Sequence, residues 1–227
     1  MLVRFGFAIS LAVLAATTPT FAADDSYPAT TTAVIMVDPY NDFISEGGKI
    51  WPRVQSVAET VNLVPNLKRL VEGARARGVH VVYAPHRRWR EGDFADWKFP
   101  HPVHQAVAQY QVFADGTWGG EWHPDLQPHT GDGVADEHWL SSGFANTDLD
   151  YQLRKRGVDH VIVVGLATNT CVESTGRYAV EMGYHTTFLK DAVATFTPAE
   201  QKAAIELDYP RIAHAVRTVD EFLGLVE

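Results

Sequence analysis

Cys171 is the only cysteine in this 227-residue chain, and its setting is the most reactive feature of the sequence. The stretch Gly165-Leu166-Ala167-Thr168-Asn169-Thr170-Cys171-Val172 reads as a strand end, a tight loop and a helix start. A thiol at a helix start sits at the positive end of the backbone dipole, which favours thiolate and predicts a depressed pKa. Free N–H groups at the same end can receive an oxyanion, so nucleophile and oxyanion hole can come from one turn. A carboxylate must then take the thiol proton and hand it to a leaving group. Asp38, directly after the apolar run 33–37, is the candidate, and Glu137-His138 ends a weaker run at 133–137. Each residue alone is weak, since a lone cysteine is most often a small buried hydrophobe. Their shared position beyond strand ends, where α/β sheets bind ligands, is what raises them.

The elements that must place these groups follow from periodicity. Short runs apolar on both faces lie at 33–37, 79–84, 160–165 and 185–189, with weaker ones at 133–137 and 214–219. Such runs suit a parallel sheet covered on both sides. Between them come helical patterns. Ser56-Val57-Ala58-Glu59 reads as a capping box opening an apolar stripe from Val57 to Ala74, in which Pro65 should kink or restart the helix. Thr147, Cys171 and Thr197-Pro198-Ala199-Glu200 open three more. Strands alternating with helices imply right-handed crossovers and one three-layer α/β/α domain over residues 23–227.

Residues 86–131 break the rhythm, being far longer than an ordinary connection. They carry Trp89, Trp97, Trp118 and Trp122, four of the six tryptophans, so the segment is expected to wall a pocket rather than merely cover the surface. Trp118, Trp122, Trp139 and Phe43 are the expected substrate-binding aromatics. Arg87, Arg88 and Arg90 stand beside Glu91 and Asp93, as in a self-paired, solvated turn.

Composition narrows the class. With 46% hydrophobic residues and 21% charged, the chain is neither disordered nor a coiled coil. One cysteine excludes an internal disulfide and a thiolate-rich zinc site. A net charge of −9 argues against a nucleic-acid partner. At the N-terminus, Arg4, the apolar residues 5–16 and the small residues Thr20 and Ala22 read as a signal peptide, residues 1–22, cleaved after Ala22. The run is shorter than a bilayer span, so no membrane association is expected after cleavage, and the mature protein should be periplasmic or secreted.

Five blocks, in order, carry a family likeness. They are Val34-Ile35-Met36-Val37-Asp38-Pro39-Tyr40-Asn41-Asp42-Phe43, Gly116-Thr117-Trp118-Gly119, Ser142-Gly143-Phe144-Ala145-Asn146-Thr147-Asp148-Leu149, Gly165 to Val172, and Lys190-Asp191-Ala192-Val193-Ala194. The chain resembles the isochorismatase-like cysteine hydrolases, which include nicotinamidases and N-carbamoylsarcosine amidases. That resemblance implies a six-stranded parallel sheet in the order 3-2-1-4-5-6. It also implies Cys171 as nucleophile, Asp38 as acid/base, oxyanion donors at Ala167 and Cys171, and a cis peptide between Leu166 and Ala167.

One position departs from the pattern, because the family lysine is replaced here by His138. Three substitutes are open: His138 itself, Glu137 beside it, or Lys98 from the long segment. A histidine titrates about four units below a lysine, so the substitute would change the alkaline behaviour. The metal-binding pattern of the nicotinamidase branch is also missing from Ala84-Pro85-His86-Arg87, and His86, His101, His104 and His123 match no ligand spacing, so no metal or cofactor is expected. The resulting expectation is hydrolysis of a small amide or ureido C–N bond through a Cys171 thioester. The alternatives are vinyl-ether hydrolysis of the isochorismatase type and a non-catalytic ligand-binding relative. A small-molecule substrate and self-association into a homo-oligomer are the expected partners.

Overall fold

The computed structural model describes residues 26–227, so the signal peptide expected at residues 1–22 lies outside the described residues. Six parallel strands form one sheet: β1 (Thr32–Val37), β2 (His80–Ala84), β3 (Gly133–Val134), β4 (His160–Leu166), β5 (His185–Ala194) and β6 (Ala215–Arg217). Their order is β3-β2-β1-β4-β5-β6, as expected. The helices are α1 (Asn41–Ile44), α2 (Trp51–Thr60), α3 (Leu63–Ala76), α4 (Pro102–Tyr110), α5 (Leu149–Arg154), α6 (Glu173–Glu181), α7 (Pro198–Ala203), α8 (Tyr209–Ile212) and α9 (Val219–Gly224).

The central strands show why their sequences are apolar throughout. Val34 and Met36 of β1 enter the core beneath α2, α3 and α9, while Ala33, Ile35 and Val37 enter the core beneath α5, α6 and α8. Alternate residues thus feed opposite layers, and both layers are apolar.

Two helix boundaries differ from the sequence expectation. Ser56 caps nothing: it lies inside α2, which begins at Trp51 with Pro52 in its first turn. The break falls at Asn62, in the left-handed region (φ 57°), and Pro65 sits in the first turn of α3, where its missing N–H forfeits no helical bond. Restart, not kink, is the outcome. At α7 the expected cap forms, with Glu200 N–H donating to Thr197 Oγ1 at 3.2 Å.

Candidate active site

Three strand ends converge at the carboxyl edge of the sheet. Asp38 follows β1 in the left-handed region (φ 53°), which a short polar side chain tolerates and which turns the chain sharply into α1. His138 lies four residues beyond β3, where an isolated bridge to His86 extends the β2–β3 pairing: Arg87 N–H donates to His138 O and His138 N–H donates to Pro85 O, both at 2.8 Å. Cys171 lies in a single π-helical turn, Thr168–Val172, between β4 and α6. Gly165 makes that route possible: with φ 111°, a Cβ there would sit 2.1 Å from Val37 O. The peptide Leu166–Ala167 is cis. Side chains brace the turn from beneath, with Thr168 Oγ1 donating to Gln201 Oε1 at 2.6 Å and Tyr209 OH donating to Thr168 O at 3.0 Å.

His138 Nε2 and Asp38 Oδ1 are 3.0 Å apart, and both side chains are fully buried. One Asp38 oxygen, one His138 ring nitrogen and Cys171 Sγ all lie within 4.8 Å of one another. Among the described residues His138 Nδ1 has no hydrogen-bond partner, and the bond to the carboxylate is donated from Nε2. Asp38 Oδ2 is likewise buried without a partner.

The thiol differs from the sequence expectation. Burial, and then the neighbouring Asp38 carboxylate, push Cys171 well above its ordinary value instead of below it. A helix start is visible in sequence; the wall that encloses the sulfur is not.

Cys171 and Ala167 open onto a cavity of about 410 Å³. Its walls are mostly apolar, with Phe43, Val107, Val112, Phe113 and Phe196 prominent, and its polar groups include Arg53, His86 and His101. His86 stays neutral through neutral pH, because burial and the adjacent His138 lower its pKa to about 4. Its Nδ1–H donates to Arg87 O at 3.0 Å, which leaves the Nε2 lone pair as the ring's acceptor. Arg53 is exposed at the mouth, its guanidinium 4.6 Å from the Phe196 ring centre.

Of the residues singled out in sequence, Asp38, His138 and Cys171 are brought together, Ala167 lines the cavity beside them, and Phe43 forms part of its wall. The three tryptophans do not line it. Trp118 is half exposed, Trp122 stacks on Tyr40 with centroids 5.0 Å apart, and Trp139 packs beneath Arg87 at 4.7 Å. Glu137 points away and accepts from the guanidinium groups of Arg87, Arg88 and Arg90. Lys98 is exposed, its ammonium over the Phe99 ring, and does not reach the cluster. Of the three candidates for the lysine position, His138 is the one that lies beside Asp38 and Cys171.

The sequence did not mark His86 and Arg53 as cavity groups. The wall expected from residues 86–131 is supplied by α4, whose Val103, Ala106, Val107 and Tyr110 recur at helical spacing. The motif residues Asn41, Asp42 and Gly119 serve position rather than chemistry. Asn41 Nδ2 donates to Trp118 O at 2.9 Å, and Asp42 accepts from Phe113 N–H at 2.7 Å, tying the long segment to α1. A Cβ on Gly119 would fall 2.5 Å from the Asp42 carboxylate, so glycine is required there.

The isochorismatase domain profile matches residues 32–220. A ureidoacrylate amidohydrolase, RutB of Agrobacterium fabrum, is 32% identical over 86% of this chain and 90% of its own length. Among solved structures, a cysteine hydrolase from Pseudomonas syringae pv. phaseolicola aligns with a TM-score of 0.74 at 30% identity, covering 88% of this chain and 93% of that one. The N-carbamoylsarcosine amidase of Thermoplasma acidophilum aligns with a TM-score of 0.62 at 27% identity, covering 84% and 97%. Since the profile spans almost all of the described residues, the chain belongs to the isochorismatase family.

Proposed function

We propose that the protein is a cysteine hydrolase that cleaves an amide or ureido C–N bond of a small molecule through a thioester on Cys171. The observation that carries this reading is the Asp38–His138–Cys171 cluster at the base of an apolar cavity. Relatives named ureidoacrylate amidohydrolase and N-carbamoylsarcosine amidase support the substrate class.

The thiol is protonated at rest, so its activation is coupled to attack. Sγ adds to the carbonyl carbon as Asp38 Oδ2 takes the thiol proton, and the carbonyl oxygen becomes an oxyanion received by the N–H groups of Ala167 and Cys171. Collapse breaks the C–N bond while Asp38 returns the proton to the departing nitrogen. Water then adds to the thioester, giving a proton to Asp38, and the acid leaves as that proton returns to sulfur. His138 holds Oδ1, so Oδ2 is the oxygen left for this shuttle.

Cavity chemistry narrows the substrate. Phe43, Phe113 and Phe196 suit an apolar substituent, the His86 lone pair suits an N–H of the scissile group, and Arg53 at the mouth suits an anionic end. The test is incubation with a panel of primary amides and N-carbamoyl amino acids, followed by intact-mass measurement and an ammonia assay. An acyl or carbamoyl adduct on Cys171, absent in C171A, and fastest turnover of acidic substrates with an apolar side chain are expected. No adduct and no product with any member would overturn the reading.

The same proposal places the enzyme outside the cytoplasm, on the strength of Arg4, the apolar residues 5–16 and the small residues before Ala23. N-terminal sequencing of protein recovered from periplasmic extract or medium should begin at Ala23; a cytoplasmic protein retaining residues 1–22 would refute export.

A further inference from the structure

We propose that Asp38, His138 and Cys171 form an inhibitory site for a thiophilic divalent cation, with Zn²⁺ the best-suited ion. The three side chains offer one oxygen, one imidazole nitrogen and one sulfur, all within 4.8 Å of one another, and all three are buried. Tetrahedral zinc takes this mixed donor set, with bonds of about 2.0–2.3 Å and hence ligand–ligand edges of roughly 3.3–3.6 Å. The Asp38–His138 edge is 3.0 Å, close to that value, and the sulfur lies within 4.8 Å of both ligand atoms, so it has to move inward by no more than about 1.5 Å. Two further observations point to a ligand. Among the described residues, Asp38 Oδ2 and His138 Nδ1 are both buried with no hydrogen-bond partner, so the carboxylate has an oxygen to offer an ion. The cavity on which Cys171 opens also carries two more imidazoles in its lining, His86 and His101.

Identity at position 138 makes the site. A lysine there would place an ammonium, a group with no lone pair, where the ion must sit, whereas an imidazole offers a ligand nitrogen. Binding exchanges a proton for metal: the Cys171 S–H proton leaves to solvent, the His138 ring gives up its Nε2 proton and keeps one N–H at Nδ1, so that a neutral imidazole is the ligand, and Zn–S, Zn–N and Zn–O bonds form. The fourth position faces the cavity and is taken by water. No redox step is involved. Occupancy removes both the sulfur lone pair and the Asp38 shuttle, which is why the ion inhibits. That inhibition rests on the cysteine-hydrolase reading, whereas the binding itself does not.

The experiment titrates the metal-free purified protein with Zn²⁺ against a chromophoric chelator, and separately with Co²⁺ under an absorption spectrometer. One ion per chain is expected, together with a thiolate-to-cobalt charge-transfer band. C171S, H138K and iodoacetamide-capped wild type should each weaken Zn²⁺ binding at least ~100-fold and abolish the band. Circular dichroism of each protein verifies the fold, and the capped wild type needs no substitution. H138K turnover, where present, should resist zinc that silences the wild type. Stoichiometric binding that survives in all three proteins would place the ion elsewhere and overturn the proposal, as would no binding at tenfold molar excess. If zinc binds as expected and no amide or ureide is turned over, the hydrolase reading falls and this site stands. If amides are cleaved with zinc present in excess and unbound, the reverse holds.

Discussion

Glu137 and His138 are neighbours in sequence and occupy opposite chemical worlds. Glu137 turns outward into a partly solvated network with the guanidinium groups of Arg87, Arg88 and Arg90. His138 turns inward, is fully buried, and meets a single carboxylate at 3.0 Å. Extended chain sends successive side chains to opposite faces, so one residue of register separates a structural ion-pair cluster from the candidate catalytic one. Trp139 obeys the same alternation and joins the Glu137 side, beneath Arg87 and against Phe94. A carboxylate stands on each side. On the buried side Asp38 Oδ2 is without a hydrogen-bond partner among the described residues, and that is where a proton can be moved.

The largest effect should come from breaking the buried side. C171A should lower kcat/KM by ~10⁴-fold or more, and H138A by about 10²–10⁴-fold, because Asp38 loses the partner that fixes which oxygen faces the sulfur. H138K should keep most of the activity, since an ammonium can donate to Asp38 Oδ1 as the ring does. Steady-state rates of wild type, H138A and H138K would settle the role. A loss in H138K as deep as that in H138A would mean that a donor at this position is not what the cluster needs.

How much of this was legible in sequence varies with the kind of constraint. Asp38 and Cys171 stand out because apolar strands end just before them, and a strand apolar on both faces is hard to mistake. β3 is faint because it is an edge strand of two residues, Gly133–Val134, with little to bury. The tryptophans were misleading for a different reason. Indole surface is costly to expose, but Trp122 satisfies that requirement against Tyr40 and Arg88 as well as a ligand could. The thiol's elevated pKa comes from burial and from Asp38, which the fold brings beside it from a segment far away in the chain. No local window contains both residues.

A smaller effect belongs to His86, which touches the buried side through His138, with ring centroids 5.2 Å apart. Burial, then the neighbouring His138, hold its folded-state pKa at about 4, against 6.5 for a free histidine. Above pH 6.5 the ring is neutral whether the chain is folded or not, and it costs nothing. As pH falls from about 6.5 to 4 the unfolded chain takes up the proton first, so stability is lost across that window, by about 3 kcal/mol at ~1.4 kcal/mol per unit. Urea denaturation of wild type and H86Q at pH 7 and pH 4.5 would test this. The acid loss should shrink in the variant. An identical loss in both proteins would assign the acid sensitivity to other groups.

On the outward side, E137Q should cost about 2 kcal/mol of stability, because three guanidinium groups lose a shared carboxylate in a partly buried setting. Turnover should remain within about threefold of wild type once folded protein is compared, since nothing in that network touches Cys171. A thousandfold loss of kcat with an unchanged melting temperature would erase the distinction between the two faces.

The smallest effect is expected at Trp118, although a tryptophan in a family motif invites the opposite guess. Its side chain is half exposed and lies outside the cavity wall. What the fold uses at this position is the backbone: Trp118 O accepts from Asn41 Nδ2 at 2.9 Å and from Glu121 N–H at 3.2 Å. Alanine preserves both bonds. W118A should therefore change stability by no more than about 0.5 kcal/mol and leave KM within twofold of wild type, as surface substitutions away from special features do. The same variant should lose part of the tryptophan fluorescence while any ligand-induced change in the remaining signal persists, because that change would come from indoles packed nearer the cavity. A tenfold rise in KM in W118A, or disappearance of the ligand-induced signal, would mean that the long segment closes over bound substrate and brings this indole with it.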